Sequence, residues 1–133
     1  MKEELGDCSY LVVDDDAFAC VAIVNVLENI GCSKVFSTCD CEDACSIATK
    51  KQPDFVLIDI HMPGTDGWTV LKRLRKVSPN SVFLMVSSST QLADLNASVE
   101  LRADGYVIKP VLPYSFPGIL NKARSKTMKR QRL

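Results

Sequence analysis

At 133 residues the chain is long enough for one domain of ordinary size and little more. It is 47% hydrophobic and 24% charged, and no apolar run nears the roughly 18 residues that cross a bilayer. No apolar secretory stretch follows Met1-Lys2-Glu3-Glu4, and a cytoplasmic protein without a membrane-spanning helix is expected.

The first element is a continuous apolar run, Tyr10-Leu11-Val12-Val13, that stops abruptly at Asp14-Asp15-Asp16. A helix is predicted from Ala17 to Ile30, closed by Gly31, which takes a left-handed cap without a Cβ clash. Lys34 to Thr38 is a weaker strand, and Glu42 to Lys51 a helix that stops before Pro53. Phe55 to Ile60 is the third strand. Trp68 to Lys76 is an amphipathic helix, with Val70, Leu71 and Leu74 opposed by Lys72, Arg73, Arg75 and Lys76. A fourth strand covers Val82 to Val86, a helix runs from Gln91 to Leu101, and a short fifth strand covers Tyr106 to Ile108. The last helix starts near Ser115 to Pro117, with Pro113, Pro117 and Gly118 expected to delay or shorten it.

Net charge is zero but uneven: six bases and no acids lie from Asn121 onward, against ten bases and sixteen acids before it. Such an end could touch nucleic acid or anionic lipid, but it reads more simply as a solvated helix end or linker. The division expected is a domain at 1–125 and a basic tail or linker at 126–133, with no direct nucleic-acid or membrane contact by the domain. Six cysteines (Cys8, Cys20, Cys32, Cys39, Cys41, Cys45) include no Cys-x-x-Cys pair and match no standard zinc spacing. They are expected as reduced thiols.

The strands are apolar on both faces, as strands between two helical layers are. Five β-α repeats predict a single α/β domain, one parallel sheet with helices on both sides. In such a sheet ligands bind beyond the carboxyl ends of the strands, where the strand order reverses. The residues there are Asp14, Asp15 and Asp16, then Asp59, Ser87 and Lys109. Two carboxylates about 4 Å apart repel by roughly 4 kcal/mol at an effective dielectric near 20, a cost that a divalent cation relieves. An all-oxygen site suits Mg2+, with Mn2+ in its place possible. A carboxylate can serve as nucleophile to form an aspartyl phosphate, and Lys109 can neutralise the transferred group. Asp16, just before a predicted helix, has the simpler reading of an N-cap.

The motifs together resemble one family. Val12-Val13-Asp14-Asp15-Asp16 is similar to the acidic cluster of response-regulator receiver domains, and Asp59-Ile60-His61-Met62-Pro63-Gly64-Thr65-Asp66-Gly67 to their phosphoacceptor loop. Met85-Val86-Ser87-Ser88 resembles their hydroxyl strand end, and Gly105-Tyr106-Val107-Ile108-Lys109-Pro110 their Lys-Pro strand end. The resemblance implies a flavodoxin-like sheet of order 2-1-3-4-5 with five helices. It implies Asp59 as phosphoacceptor, with Ser87 and Lys109 around the phosphoryl group. It implies Mg2+ held by Asp14, Asp15, Asp59 and the His61 carbonyl, a Ser87/Tyr106 switch and a cis bond before Pro110. The implied partners are a histidine kinase or histidine phosphotransfer protein and a downstream effector or covalently linked output domain. Implied too is a signalling domain rather than an enzyme, one that catalyses its own phosphorylation and dephosphorylation.

Two features depart from the family pattern. Cys20, Val21 and Val24 fall where the first helix is ordinarily polar, and are expected to form a hydrophobic docking surface, with dimerisation as the rival reading. His61 is expected either to orient water at the phosphoryl group or to sit in solvent. Among other functions, a haloacid-dehalogenase-type phosphatase needs a second acid where His61 stands, and a flavin carrier needs a hydroxyl-rich loop where Asp14 to Asp16 stand. A receiver-like interaction module without phosphotransfer is the remaining alternative.

Overall fold

The computed structural model describes residues 4–62, 64–88 and 92–132. After a 3-10 turn at Leu5–Asp7 the elements are β1 (Ser9–Val13), α1 (Ala17–Asn29), β2 (Lys34–Thr38), α2 (Cys41–Lys51), β3 (Phe55–Asp59), β4 (His61–Met62) and β5 (Thr65–Asp66). They continue with α3 (Gly67–Val77), β6 (Val82–Ser87), α4 (Leu92–Glu100), β7 (Gly105–Ile108) and α5 (Phe116–Arg132). The main sheet is parallel, of order β2-β1-β3-β6-β7. With the two-residue ribbon β4-β5 set aside, that is the expected order 2-1-3-4-5. The ribbon was not foreseen; it folds the segment between β3 and α3 back on itself, pairing His61 with Asp66 and Met62 with Thr65. Pro63, within the motif, and Gln91, the expected start of α4, lie outside the described residues.

Period-two alternation along the strands divides the core into two layers. Tyr10, Val12, Phe55, Leu57, Leu84 and Val86 face α1 and α5, meeting Ile23, Leu27, Phe116 and Leu120. Leu11, Val13, Val56, Ile58, Phe83 and Met85 face the other way, onto Ala44 and Ala48 of α2 and Val70, Leu71 and Leu74 of α3. β2 is an edge strand and only half-buried, which explains its weak apolar signal.

Helix ends follow the local chemistry. α1 is capped at its start by Asp16, whose carboxylate accepts from the Phe18 and Ala19 N–H groups. It ends in a Schellman motif: Gly31, at φ +98°, donates to the Glu28 carbonyl and Cys32 to that of Leu27. α5 starts at Phe116, within the expected window; Pro113 precedes it, while Pro117 and Gly118 fall in its first turn without shortening it, and it runs 17 residues. Residues 126–132, expected as tail or linker, continue this helix, with Thr127 buried.

Arg130, counted among the tail bases, is a structural counter-ion. Its Nη2 lies 3.1 Å from Oδ2 of Asp104, a carboxylate that also accepts from the Phe83 N–H. Arg130→Met should destabilise the fold by about 2 kcal/mol in urea denaturation, because Asp104 is buried and would lose its ion pair. A change within error would show that the pair contributes nothing.

Candidate functional site

The strand order reverses between β1 and β3, and there the chain brings together residues from four loops. β1 ends in Asp14, which is buried; its N–H donates to the Thr38 carbonyl and its Oδ1 accepts from the Asp16 N–H. Asp15 is turned to solvent. β3 ends in Asp59, 7% exposed. Behind Asp59 the first residue of α3 must be glycine: a Cβ on Gly67 would lie 2.4 Å from the Asp59 carbonyl oxygen. Ligand oxygens of Asp14, Asp15 and Asp59 all lie within 4.8 Å of one another. No other group of three or more such side chains occurs among the described residues, so the cysteines and His61 assemble no metal cluster there.

Lys109 enters from the end of β7. Its Nζ lies 3.0 Å from Asp14 Oδ2 and 3.6 Å from Asp59 Oδ1. Its backbone is held by a bond from its N–H to the Ser87 carbonyl, and the Lys109–Pro110 peptide bond is cis, as expected. Ser87 ends β6 and is buried. Tyr106 lies beside Met85 in the sheet, half-buried against the α2/α3 layer.

Three carboxylates face one ammonium, which leaves two formal negative charges unbalanced. The consequence falls on Asp59. Burial raises its pKa above the ordinary carboxylate value, and the charge of Asp14 adds to this, partly offset by Lys109 and the His61 N–H. Burial pushes the Lys109 ammonium the other way, but its hydrogen bond to Asp14 and the charges of Asp14 and Asp59 outweigh that and raise its pKa. Excess negative charge, oxygen-only donors and an open side at Asp15 are what a hard divalent cation with some retained water requires, so these residues fit such an ion.

His61 is exposed on the β4-β5 ribbon; its Nε2 lies 3.3 Å from Oδ2 of Asp94 on α4. It is therefore engaged with a helix neighbour, a contact not foreseen from the sequence. The surface of α1 differs from expectation. Cys20 and Val24 are half-buried against the core formed with α5, because they share the inward stripe of Ile23 and Leu27. Only Val21 of the three is exposed, at 57%, and the residue missed is Phe18, at 88%. Phe18 sits in the first turn, three residues before Val21 and on the same face. Its spacing from Val21 was the available signal.

The family model described as response regulator receiver domain matches residues 10–118. The chain belongs to the response regulator receiver family. Among relatives, the probable transcriptional regulator ycf27 of Porphyridium aerugineum is 36% identical over 103 residues, 77% of this chain and 42% of that protein. Among solved structures, Vibrio cholerae chemotaxis protein CheY4 superposes with a TM-score of 0.79 at 23% identity, over 87% of this chain and 98% of that one. A Burkholderia pseudomallei response regulator, solved with a phosphorylated aspartic acid, a calcium ion and citrate, gives 0.79 at 22% identity over 94% and 73%. The chain spans less than half the length of the curated relatives it matches. Receiver domains are signalling domains of two-component systems, and the fold and family expectations hold. No helix among the described residues is long and apolar enough to cross a membrane.

Proposed function

We propose that this receiver accepts a phosphoryl group from a phosphohistidine donor onto Asp59 and signals the change to a partner or linked output domain in the cytoplasm. The observation that carries this is the placement of Asp59, buried at a strand end with Asp14 and Asp15 within 4.8 Å and the Lys109 ammonium 3.6 Å away. The Asp59 carboxylate oxygen forms the new bond to phosphorus while the phosphorus–nitrogen bond of the donor breaks, its electron pair leaving with the imidazole. Lys109 then faces the added charge of about −1.5 to −2. In this reading Ser87, buried at the neighbouring strand end, bonds the phosphoryl oxygens, and Tyr106, on the strand paired with β6, follows Ser87 inward. Asp14, Asp15, Asp59 and the His61 carbonyl would hold Mg2+, or Mn2+. When bound, the ion supplies charge neutralisation for the transferred group. Release of the group to water, the domain's own dephosphorylation, would use the same residues.

The protein should gain the mass of one phosphoryl group when incubated with acetyl phosphate and Mg2+, and none when a chelator is added first. No gain under either condition would favour an interaction module without phosphotransfer. Because proton and cation compete for Asp59, Mg2+ should bind more weakly as pH falls through the raised Asp59 pKa. Titration calorimetry at a series of pH values from neutral down to the ordinary carboxylate range checks this; an affinity constant across the series would contradict it.

Phe18 and Val21 form an apolar patch on α1, beside the loop that carries Asp14 and Asp15. We assign this patch to donor docking. Phe18→Lys and Val21→Lys should each slow transfer from a cognate phosphohistidine donor about tenfold or more while leaving acetyl phosphate labelling unchanged. Equal loss from both donors would remove the docking role.

A further inference from the structure

Two cysteines share one flank of α2. Cys41 is its first residue, and Cys45 stands one turn further on. The buried stripe of the helix is Ala44 and Ala48; the two cysteines lie half-buried beside it, packed against the core shared with α3. Cys8 and Cys32 are buried and act as donors, to the Glu4 and Leu5 carbonyls, each at 3.5 Å. Cys41 differs, because its sulfur accepts. Nη1 of Arg73, on α3, donates to Cys41 Sγ at 3.3 Å. The Nη2 of the same guanidinium lies 2.8 Å from Glu42, which holds it beside the pair. Its charge reaches Cys45 as well, opposing the burial that raises the pKa of that thiol.

The spacing decides what two such sulfurs can take. Cβ atoms one helical turn apart are separated by roughly 5–6 Å. A disulfide needs about 3.5–4.5 Å, so a direct bond from Cys41 to Cys45 would distort the first turn of α2. A single soft atom between the sulfurs spans the gap and leaves the helix in place. Zinc requires four ligands, and among the described residues no third His, Cys, Asp or Glu joins the pair. Cys39 is exposed in the preceding loop, and Glu42 is engaged with Arg73. Soft thiolates select Cu(I), a filled-shell ion that two sulfur ligands satisfy. On binding, both thiol protons leave, and two thiols with Cu(I) become a bis-thiolate complex of one net negative charge. The guanidinium already at Cys41 balances that charge.

We propose that Cys41 and Cys45 form a two-sulfur site for Cu(I), with Arg73 as its counter-ion. The site shares no ligand with the carboxylates of Asp14, Asp15 and Asp59, so it stands apart from the phosphoacceptor reading above.

Anaerobic titration of the reduced full chain with Cu(I), in competition with a chromogenic Cu(I) chelator, tests the site. The wild type should withdraw one equivalent from the chelator before any weaker binding begins. Cys41→Ser and Cys45→Ser should each lose that equivalent, while Cys20→Ser and Cys39→Ser keep it. Arg73→Met should keep it with affinity lowered about tenfold. Retention in Cys41→Ser or Cys45→Ser, or loss in Cys39→Ser, would overturn the two-sulfur site, and an unchanged affinity in Arg73→Met would overturn the counter-ion. Alkylation of the wild type with iodoacetamide, read by peptide mass spectrometry, decides the matter where a variant fails to fold. One equivalent of Cu(I) should slow modification of Cys41 and Cys45 and leave that of Cys39 unchanged. Equal modification with and without the ion, or protection of Cys39 too, would overturn the site. Zn2+ in the same assay should protect neither Cys41 nor Cys45; protection of both would overturn the two-coordinate assignment.

Discussion

Asp59→Asn is expected to abolish phosphoryl incorporation completely, with no mass gain from acetyl phosphate and Mg2+ under conditions that label the wild type. The amide keeps the shape of the carboxylate but cannot form the acyl phosphate. The same substitution should make the ion-free protein more stable at neutral pH. Asp59 has a folded pKa raised above its unfolded value, so the folded state binds this proton more tightly than the unfolded chain does. Its contribution is therefore favourable at low pH and is lost as pH rises from the ordinary carboxylate range through the raised folded value. Asparagine removes that loss, to which the repulsion from Asp14 contributes, so the variant gains stability. Urea denaturation without Mg2+ measures it. A variant that is still labelled would move the acceptor elsewhere, and one destabilised without the ion would contradict the electrostatic description of the site.

Lys109→Met carries the second large effect. Its ammonium lies between two buried carboxylates, 3.0 Å from Asp14 and 3.6 Å from Asp59. Removing it takes away the protein's own positive charge at the point where negative charge accumulates, and labelling should slow on the order of 100-fold. It also leaves Asp14, 1% exposed, without its ion-pair partner, costing about 3 kcal/mol in the ion-free protein. Mg2+ should restore much of that stability but not the labelling rate. That difference separates a role at the phosphoryl group from a merely structural one. A labelling rate within twofold of wild type at saturating Mg2+ would contradict it.

The strands facing two helical layers were legible because burial on both sides leaves long apolar runs with little ambiguity. Tyr10 to Val13, Phe55 to Asp59 and Val82 to Val86 are buried throughout. The acidic residues were legible because Asp at a strand end, repeated in two loops and joined by a lysine from a third, has few structural explanations. Asp16 shows the limit of that argument, since it is an N-cap and stands outside the cluster. What could not be read depends on contacts between distant segments. Arg130 looks like one more base in a charged tail until α5 is laid beside β6 and β7, where it meets Asp104. Arg75 looks like the polar face of an amphipathic helix, yet its long stem carries the guanidinium over Phe83 to the end of α4. Cys20 and Val24 looked exposed because a helix rich in small apolar residues leaves its inward stripe poorly defined; packing of α1 over β1 and β2 defines it.

The most direct test of the central claim is to label the protein with acetyl phosphate and Mg2+, reduce it with borohydride, which converts an aspartyl phosphate to homoserine, and sequence the peptides by mass spectrometry. The account predicts homoserine at position 59 and unmodified aspartate at positions 14 and 15. Homoserine at either of those positions, or none in a protein shown to be folded and Mg2+-bound, would contradict it.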